Sequence, residues 1–236
     1  MEYRKDSKYN YSIFKFKGGE TFEGEWINIG TNGEGYLDKV YMEGYRIQYN
    51  TLGEIIYKGE FKEGQPNGIG VFYFEDGYYT GEVKEGFIEG YGIKYHEKED
   101  ERDRYEGKWK NDDCEGYGIM YYKDGSIYNG EFKNGNYDGF GLDYYKDNYY
   151  YKGLIKNGIY NGYGIKYYYS NNQLYKGEIK NGKLEGYAFA HYSNGDIYEG
   201  EWKDDKKNGF GFLHKSNGEK YISYWEDDKL LFQVQL

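Results

Sequence analysis

A tyrosine, a glycine two residues later and a bulky apolar residue two residues after that recur seven times between Tyr57 and Trp202. The copies open at Tyr57, Tyr79, Tyr105, Tyr128, Tyr151, Tyr175 and Tyr198, 22 to 24 residues apart except for one longer step from Tyr79 to Tyr105. An interval of this length constrains the fold more than any single residue does. Each copy is one supersecondary element that buries its apolar side only against its neighbours.

Inside each copy two runs alternate with period two and glycine clusters separate them, which is the pattern of a β-hairpin. In the first run Tyr128, Gly130 and Phe132 share one face, and Asn129, Glu131 and Lys133 share the other. Asn134-Gly135, Asn157-Gly158 and Asn181-Gly182 suit two-residue turns with positive φ. In the second run Phe140, Leu142 and Tyr144 alternate with Gly141 and Asp143; Asp124-Gly125, Asn194-Gly195 and Asn217-Gly218 close successive copies. A glycine inside a strand weakens it through lost backbone entropy. Flanking rings lying across that glycine restore packing, and this is expected here in preference to a bulge.

The copies at both ends are incomplete. Residues 13–19 read as the second half of a copy, residues 36–56 as a shortened one, and Tyr221 opens a copy that is not finished. The organisation is an N-terminal half-repeat over 1–21, then an array over 22–220 with copies starting near 22, 36, 57, 79, 105, 128, 151, 175 and 198. A charged insertion occupies 96–104, and an incomplete repeat with a capping strand fills 221–236. In that last segment Phe232, Val234 and Leu236 alternate with Gln233 and Gln235, so a strand with one apolar, buried face is expected to cover the edge begun at Tyr221. Left exposed, the same strand would recruit a second copy, giving a homodimer through the C-terminal end.

A mean hydropathy of −1.06 and a net charge of −10 would suit a disordered chain. The 22% of aromatic residues argues against that, and 35 Tyr with 37 Gly fit a β-structure of tyrosine rings and tight turns. The acidic balance excludes nucleic acid, which requires surplus Lys and Arg to neutralise phosphates. Cys114 is the only cysteine, so neither an internal disulfide nor a cysteine zinc cluster is expected. No apolar run approaches the roughly 18 residues of a membrane span, and a cytoplasmic protein is expected.

The repeated Tyr-x-Gly-x-aromatic with Gly-x-Gly downstream, as in Tyr128–Phe132 followed by Gly139 and Gly141, resembles the MORN repeat family over about residues 13–228. The resemblance implies an all-β fold: an elongated single-layer array of stacked antiparallel β-hairpins, as a twisted rod or open groove. It also implies a scaffold or adaptor role, often between membranes and the cytoskeleton, with lipid binding claimed for some members. Ala188 replaces the second glycine of its pair, while Leu154 and Lys108 stand where other copies have Glu.

No catalytic residue, metal ligand or cofactor is expected. His191 and His214 fall at the repeat position of Tyr121, Tyr144 and Tyr167, about 10 Å apart given two strands per copy, too far to share a metal directly. His96 reads as a loop residue beside the charged insertion. Gly68-Ile69-Gly70 and Gly90-Tyr91-Gly92 lack the third glycine and the helix of a dinucleotide site. Acidic residues recur with the repeat instead of forming one pair.

Lys62, Lys84, Lys110, Lys133, Lys156, Lys180 and Lys203 occupy one repeat position and form a row suited to acidic lipid headgroups. Glu60, Glu82, Glu131, Glu178 and Glu201 lie two residues earlier, and mutual neutralisation is expected within a Debye length of about 8 Å. The aromatic residues form three rows: Tyr73, Tyr95, Tyr121, Tyr144 and Tyr167; Phe61, Trp109, Phe132 and Trp202; and the repeat-opening tyrosines. A single sheet has no second layer to cover an aromatic face, and large exposed aromatic patches mark partner sites. The expected function is a non-catalytic scaffold that binds a helix or extended peptide of a protein partner along an aromatic groove. That groove is lined by Tyr73, Tyr95, Tyr121, Tyr144, Tyr167, Trp109, Phe132 and Trp202. Two alternatives stand beside it: an acidic-lipid or phosphoinositide module using Lys133, Lys156 and Lys180, and a targeting subunit for an enzyme on another chain.

Overall fold

The computed structural model describes residues 2–6, 11–15, 18–28, 40–97 and 100–236. The chain forms two compact units, residues 1–115 and 116–236. Among the described residues there are twenty β-strands and no helix. In the N-terminal unit β1 (Glu2–Asp6), β2 (Tyr11–Lys15), β3 (Thr21–Asn28), β4 (Val40–Tyr49) and β5 (Ile55–Lys62) pair in sequence order. The order continues through β6 (Gln65–Phe74), β7 (Gly77–Lys84), β8 (Phe87–His96) and β9 (Arg102–Lys110). The boundary falls in β10 (Asp113–Tyr122). From Gly116 onward β10 pairs with β11 (Ile127–Lys133), which pairs with β12 (Asn136–Tyr145). Next come β13 (Tyr149–Lys156), β14 (Ile159–Tyr168), β15 (Gln173–Lys180) and β16 (Lys183–His191). The unit ends with β17 (Ile197–Lys203), β18 (Lys206–His214), β19 (Lys220–Glu226) and β20 (Lys229–Gln235). All of these pairings are antiparallel.

The two-residue turns take the left-handed backbone expected of them: Asn134 and Gly135 have φ of 47° and 74°, Asn157 and Gly158 of 49° and 76°. The turns also stitch one copy to the next. The N–H of Gly158 donates to the Tyr137 carbonyl and that of Gly182 to the Tyr160 carbonyl. Where the second turn residue is aspartate the link runs both ways. Asp205 N–H donates to the Leu184 carbonyl, and its Oδ1 accepts the Leu184 N–H at 2.8 Å.

Aromatic rescue and a bulge turn out to be parts of one device. Gly130 pairs with Gly141, and a side-chain carbon added to either would meet the Tyr128 ring or hydroxyl within 2.8 Å. The ring thus lies flat across two adjacent strands where only glycine leaves room. Immediately beyond, the register shifts between Gly130 and Phe132, and Gly139 adopts φ of 123°. The kinked backbone presents the Glu131 carbonyl to the Tyr128 hydroxyl, which donates to it at 2.8 Å. Tyr57, Tyr79, Tyr105 and Tyr151 donate in the same way to residues 60, 82, 108 and 154. All five rings are fully buried.

Two expectations are corrected here. His96 is the last residue of β8, buried at 7% exposure with Nδ1 3.3 Å from Asp100, and residues 102–104 belong to β9; residues 98 and 99 of the insertion lie outside the described residues. The presumed start of a copy at 36 also lies outside them. The C-terminal segment does pair as strand β20 against β19, yet Phe232, Val234 and Leu236 are 47%, 56% and 68% exposed. Phe232 faces Tyr224 and Val234 faces Ile222, which puts the apolar side on the uncovered face of the sheet instead of the packed one.

Candidate partner-binding face

The expected groove combined rows that the register separates. Tyr128 pairs with Asp143 and Gly130 with Gly141, so the opening tyrosines share a face with Gly141 and Asp143, opposite to Phe140, Leu142 and Tyr144. Trp109, Phe132 and Trp202 are 4%, 3% and 5% exposed on the packed face. Each stands edge-on to its own repeat tyrosine, with ring centroids 5.0 Å apart for Tyr105–Trp109 and 5.1 Å for Tyr128–Phe132. The indole N–H of Trp202 donates to the Ala188 carbonyl at 3.2 Å. These three residues fill the packed face and line no opening. A single sheet covers them because rings from neighbouring strands overlap.

Tyr73, Tyr95, Tyr121, Tyr144 and Tyr167 lie on the other face, where Tyr73 is exposed and the rest are half-buried. In the C-terminal unit cross-strand partners join Tyr121, Ile127, Tyr144, Tyr150, Tyr167 and Leu174 into one ladder without a charged residue. The ladder runs on through His191, Ile197 and His214, so the two histidines flank Ile197. Tyr150 stacks on Tyr167 at 5.6 Å, and Tyr169 meets Tyr144, Tyr150 and Tyr167 at 6.2, 6.2 and 5.3 Å. Tyr144, Tyr150 and Tyr169, with Ile127, Leu142 and Lys152, line an open cavity of about 460 Å³. In the N-terminal unit the equivalent rings are Tyr73, Tyr78 and Tyr95, and Tyr78 stacks on Tyr95 at 4.7 Å.

A second outward row was not expected from the sequence. The residue between the paired glycines is large in every copy, and it is the most exposed aromatic position of the sheet. Tyr91 is 65% exposed, Tyr117 61%, Tyr163 58% and Tyr187 59%. The signal was present in the invariant bulk of the middle residue of Gly-x-Gly. The glutamate two residues before each lysine belongs to this row. Glu82, Glu131 and Glu201 accept the backbone N–H of Tyr91, Phe140 and Phe210 at 2.9, 3.1 and 3.3 Å, filling the gap left by the bulge. These carboxylates therefore serve the backbone. Among the described residues none of Lys62, Lys84, Lys110, Lys133, Lys156, Lys180 and Lys203 has a carboxylate within 4.0 Å, so the row forms no direct ion pairs. All seven are exposed.

Leu154 occupies the glutamate position and packs over Gly162. It lies opposite Phe140, and Phe140, Leu142, Leu154 and Tyr163 are 48%, 38%, 45% and 58% exposed. Next to this copy the outward row is thus apolar without an intervening acid. Among the described residues no group of three or more His, Cys, Asp and Glu is placed to hold a metal. Burial pushes the Cys114 thiol up to about 12, so it stays protonated at neutral pH.

The repeat geometry agrees with comparison to known proteins. The MORN repeat model matches residues 57–77, 79–97, 105–127, 128–147, 151–173, 175–197 and 198–220. No curated protein matches the chain. Among solved structures the chain is similar to the TCP10 domain of Danio rerio CPAP in complex with a peptide of Danio rerio STIL. That likeness has 10% identity and a TM-score of 0.53, covering 100% of this chain and 99% of that one. The same Danio rerio domain without the peptide gives 9% identity, 95% and 99% coverage and a TM-score of 0.46. The SAS-4 (dCPAP) TCP domain of Drosophila melanogaster with a proline-rich motif of Ana2 (dSTIL) gives 11%, 100%, 95% and 0.27. At these identities the first likeness concerns the fold alone, an antiparallel β-sheet array. With seven copies matched over more than half of its length, the chain belongs to the MORN repeat family.

Proposed function

We propose that the chain is a non-catalytic scaffold that docks an apolar segment of a protein partner, helical or extended, on the outward face of its C-terminal unit. The observation that carries this reading is the apolar stretch of the outward row at Leu154, with no acid between Phe140 and Tyr163 and only Lys152 between Leu154 and Tyr150 on the same face of its own strand. Phe140, Leu142 and Tyr163 adjoin it, and the Tyr144–Tyr150–Tyr167 ladder runs alongside. Exposed patches of this kind mark partner sites, and Tyr supplies contact area at low entropy cost. The Danio rerio TCP10 domain of similar fold was solved with a partner peptide, which is consistent with this use of the architecture. A place at a membrane–cytoskeleton boundary belongs to the same proposal and rests on the family resemblance.

Peptides selected on the intact protein from a display library test it. Leu154→Glu restores the residue that other copies carry, so the fold should survive, while affinity for the selected peptides should fall about tenfold, a typical hot-spot loss. Equal affinity of the variant and the original protein would remove the outward face from consideration. The unpaired lysine row favours a second reading, an acidic-lipid surface. Vesicles with acidic lipids at physiological salt should then bind, and reversing Lys133, Lys156 and Lys180 to glutamate should abolish it. Binding that ignores those reversals rejects the lipid reading.

A further inference from the structure

One repeat departs from the packing of the others. Ala188 stands where the second glycine of the pair belongs, and a side-chain carbon on its partner Gly177 would lie 2.3 Å from the Ala188 methyl. The methyl occupies the place of the tyrosine ring. Tyr175 accordingly leaves the seat that Tyr57, Tyr79, Tyr128, Tyr151 and Tyr198 fill at 0% exposure, becoming half-buried. Its hydroxyl donates to Gln173 Oε1 at 3.0 Å, where the other copies bond a backbone carbonyl. The second contributor is Leu184. The two preceding copies place Tyr137 and Tyr160 there, stacked on Tyr128 and Tyr151 at 3.7 and 3.9 Å, and Leu184 offers no such ring. The displaced Tyr175 ring helps to wall a cavity of about 300 Å³ on the packed face, together with Tyr168, and Ile179 and Leu184 floor it.

The polar groups at this cavity are asymmetric. Lys166 Nζ enters from one side, 4.6 Å from the Tyr149 ring centre and 5.0 Å from that of Tyr168, with no carboxylate within 4.0 Å among the described residues. Gln173, which also lines the cavity, accepts Tyr175 and Asn171 at Oε1, which leaves its amide N–H₂ as a donor. Asp205 borders the opposite side and is engaged by the Leu184 N–H. We propose that this cavity is a binding site for a planar aromatic acid. The ring lies over Ile179 and Leu184 against Tyr168 and Tyr175, which meet each other edge to face at 6.1 Å, and the monoanion meets Lys166 and the Gln173 amide. Aromatic walls with a few convergent polar groups are the usual make-up of small-ligand sites, and a cavity of this size holds a one- or two-ring molecule.

Indole-3-acetate is the probe, with neutral indole and tryptamine as controls, followed by isothermal titration and by NMR shifts on the intact chain. The acid should bind more tightly than either control. Lys166→Gln should weaken the acid about tenfold, the loss of one charge-assisted contact, and leave indole unchanged. Ala188→Gly reopens the seat for Tyr175, so it should draw that ring out of the cavity wall, abolish binding of every probe and raise the melting temperature. That variant restores the template residue, so failure to fold does not obscure the outcome. Absence of binding to the original protein at millimolar probe, equal binding of acid and indole, or binding that survives Ala188→Gly would each overturn the assignment.

Discussion

At the scale of single residues, the glycines do two separate jobs, and substitutions distinguish them. Gly141 has ordinary backbone angles, but a methyl there would meet the Tyr128 ring at 2.6 Å. Gly141→Ala should displace that ring as Ala188 displaces Tyr175, losing the stacking on Tyr137 and the hydroxyl bond to Glu131. Denaturant unfolding should register a cost of about 1–3 kcal/mol, typical of overpacking. Gly158 is the converse case, with open space around it and φ of 76°. Gly158→Ala should cost about 1 kcal/mol from backbone strain alone and leave every ring in place. Asp143 poses a different problem, because it is 7% exposed and its Oδ2 accepts only the Tyr160 hydroxyl at 2.7 Å. Burial raises its carboxyl above the usual range, against the opposing pull of that hydrogen bond. A raised value means that the folded state holds the proton more tightly than the unfolded chain. The contribution to stability is therefore complete at low pH and is lost as pH rises through the folded value. Asp143→Asn keeps an acceptor for Tyr160 without the charge. It should be more stable than the original protein at pH 7, on the order of 1 kcal/mol, and the advantage should vanish as pH falls below the ordinary carboxylate range. A pH-independent difference in melting temperature between the two proteins would contradict this.

At the scale of elements, each hairpin is incomplete without the next. The turn N–H groups bond the second strand of the preceding copy, and the tyrosine of one strand spans the glycine of its neighbour. Strand β20 follows the same logic, since it satisfies the outer edge of β19 through a full antiparallel register. Its Val234 and Leu236 stay mostly exposed, so the stabilising contribution lies in backbone pairing and in the Phe232 ring, which meets Tyr224 and Phe210 at 5.8 and 6.0 Å. Deleting residues 229–236 should lower the melting temperature and leave β19 as a bare edge prone to pairing with other chains. Sedimentation of the truncated protein should show association that the original lacks; a truncated chain that is as stable and less associated would assign β20 to dimer contact instead.

At the scale of the whole molecule, stability rests on phenols. Burial raises the hydroxyls of Tyr57, Tyr79, Tyr105, Tyr128 and Tyr198 well above the ordinary value of about 10, and pushes Tyr151 up to about 12. In the unfolded chain the same groups ionise near pH 10. Stability is therefore intact below that pH and falls steeply above it, with many tyrosines contributing in parallel. Absorbance at the phenolate band should show the exposed tyrosines titrating first. A second, steep step should coincide with loss of the far-ultraviolet strand signal. Smooth titration of all tyrosines with the fold retained would mean that the ring ladder is not what holds the sheet.

The sequence by itself determined the hairpin repeat, its turns and its family, because period-two alternation and Asn-Gly pairs act locally and recur. It also determined that large apolar residues would face outward, since Tyr121, Tyr144 and Tyr167 repeat at one position. It did not determine which rows share a face. The two-residue turn pairs Lys133 with Asn136, which sets Tyr128, Gly130 and Phe132 on the face of Gly141 and Asp143 and opposite to Tyr144. The bulge moves the partner by two residues without changing that face; Trp109, Phe132 and Trp202 were thus joined to a surface they do not reach. The partners of the glutamates were hidden as well: proximity along the chain pointed to the lysines, while the kinked backbone supplied nearer N–H donors. Ala188 and Leu154 were legible as departures from the pattern, but their consequences were not. Only tertiary packing decided that one methyl would unseat a ring and that one leucine would make the outward row apolar from Phe140 to Tyr163, because both effects depend on residues brought alongside by strand pairing.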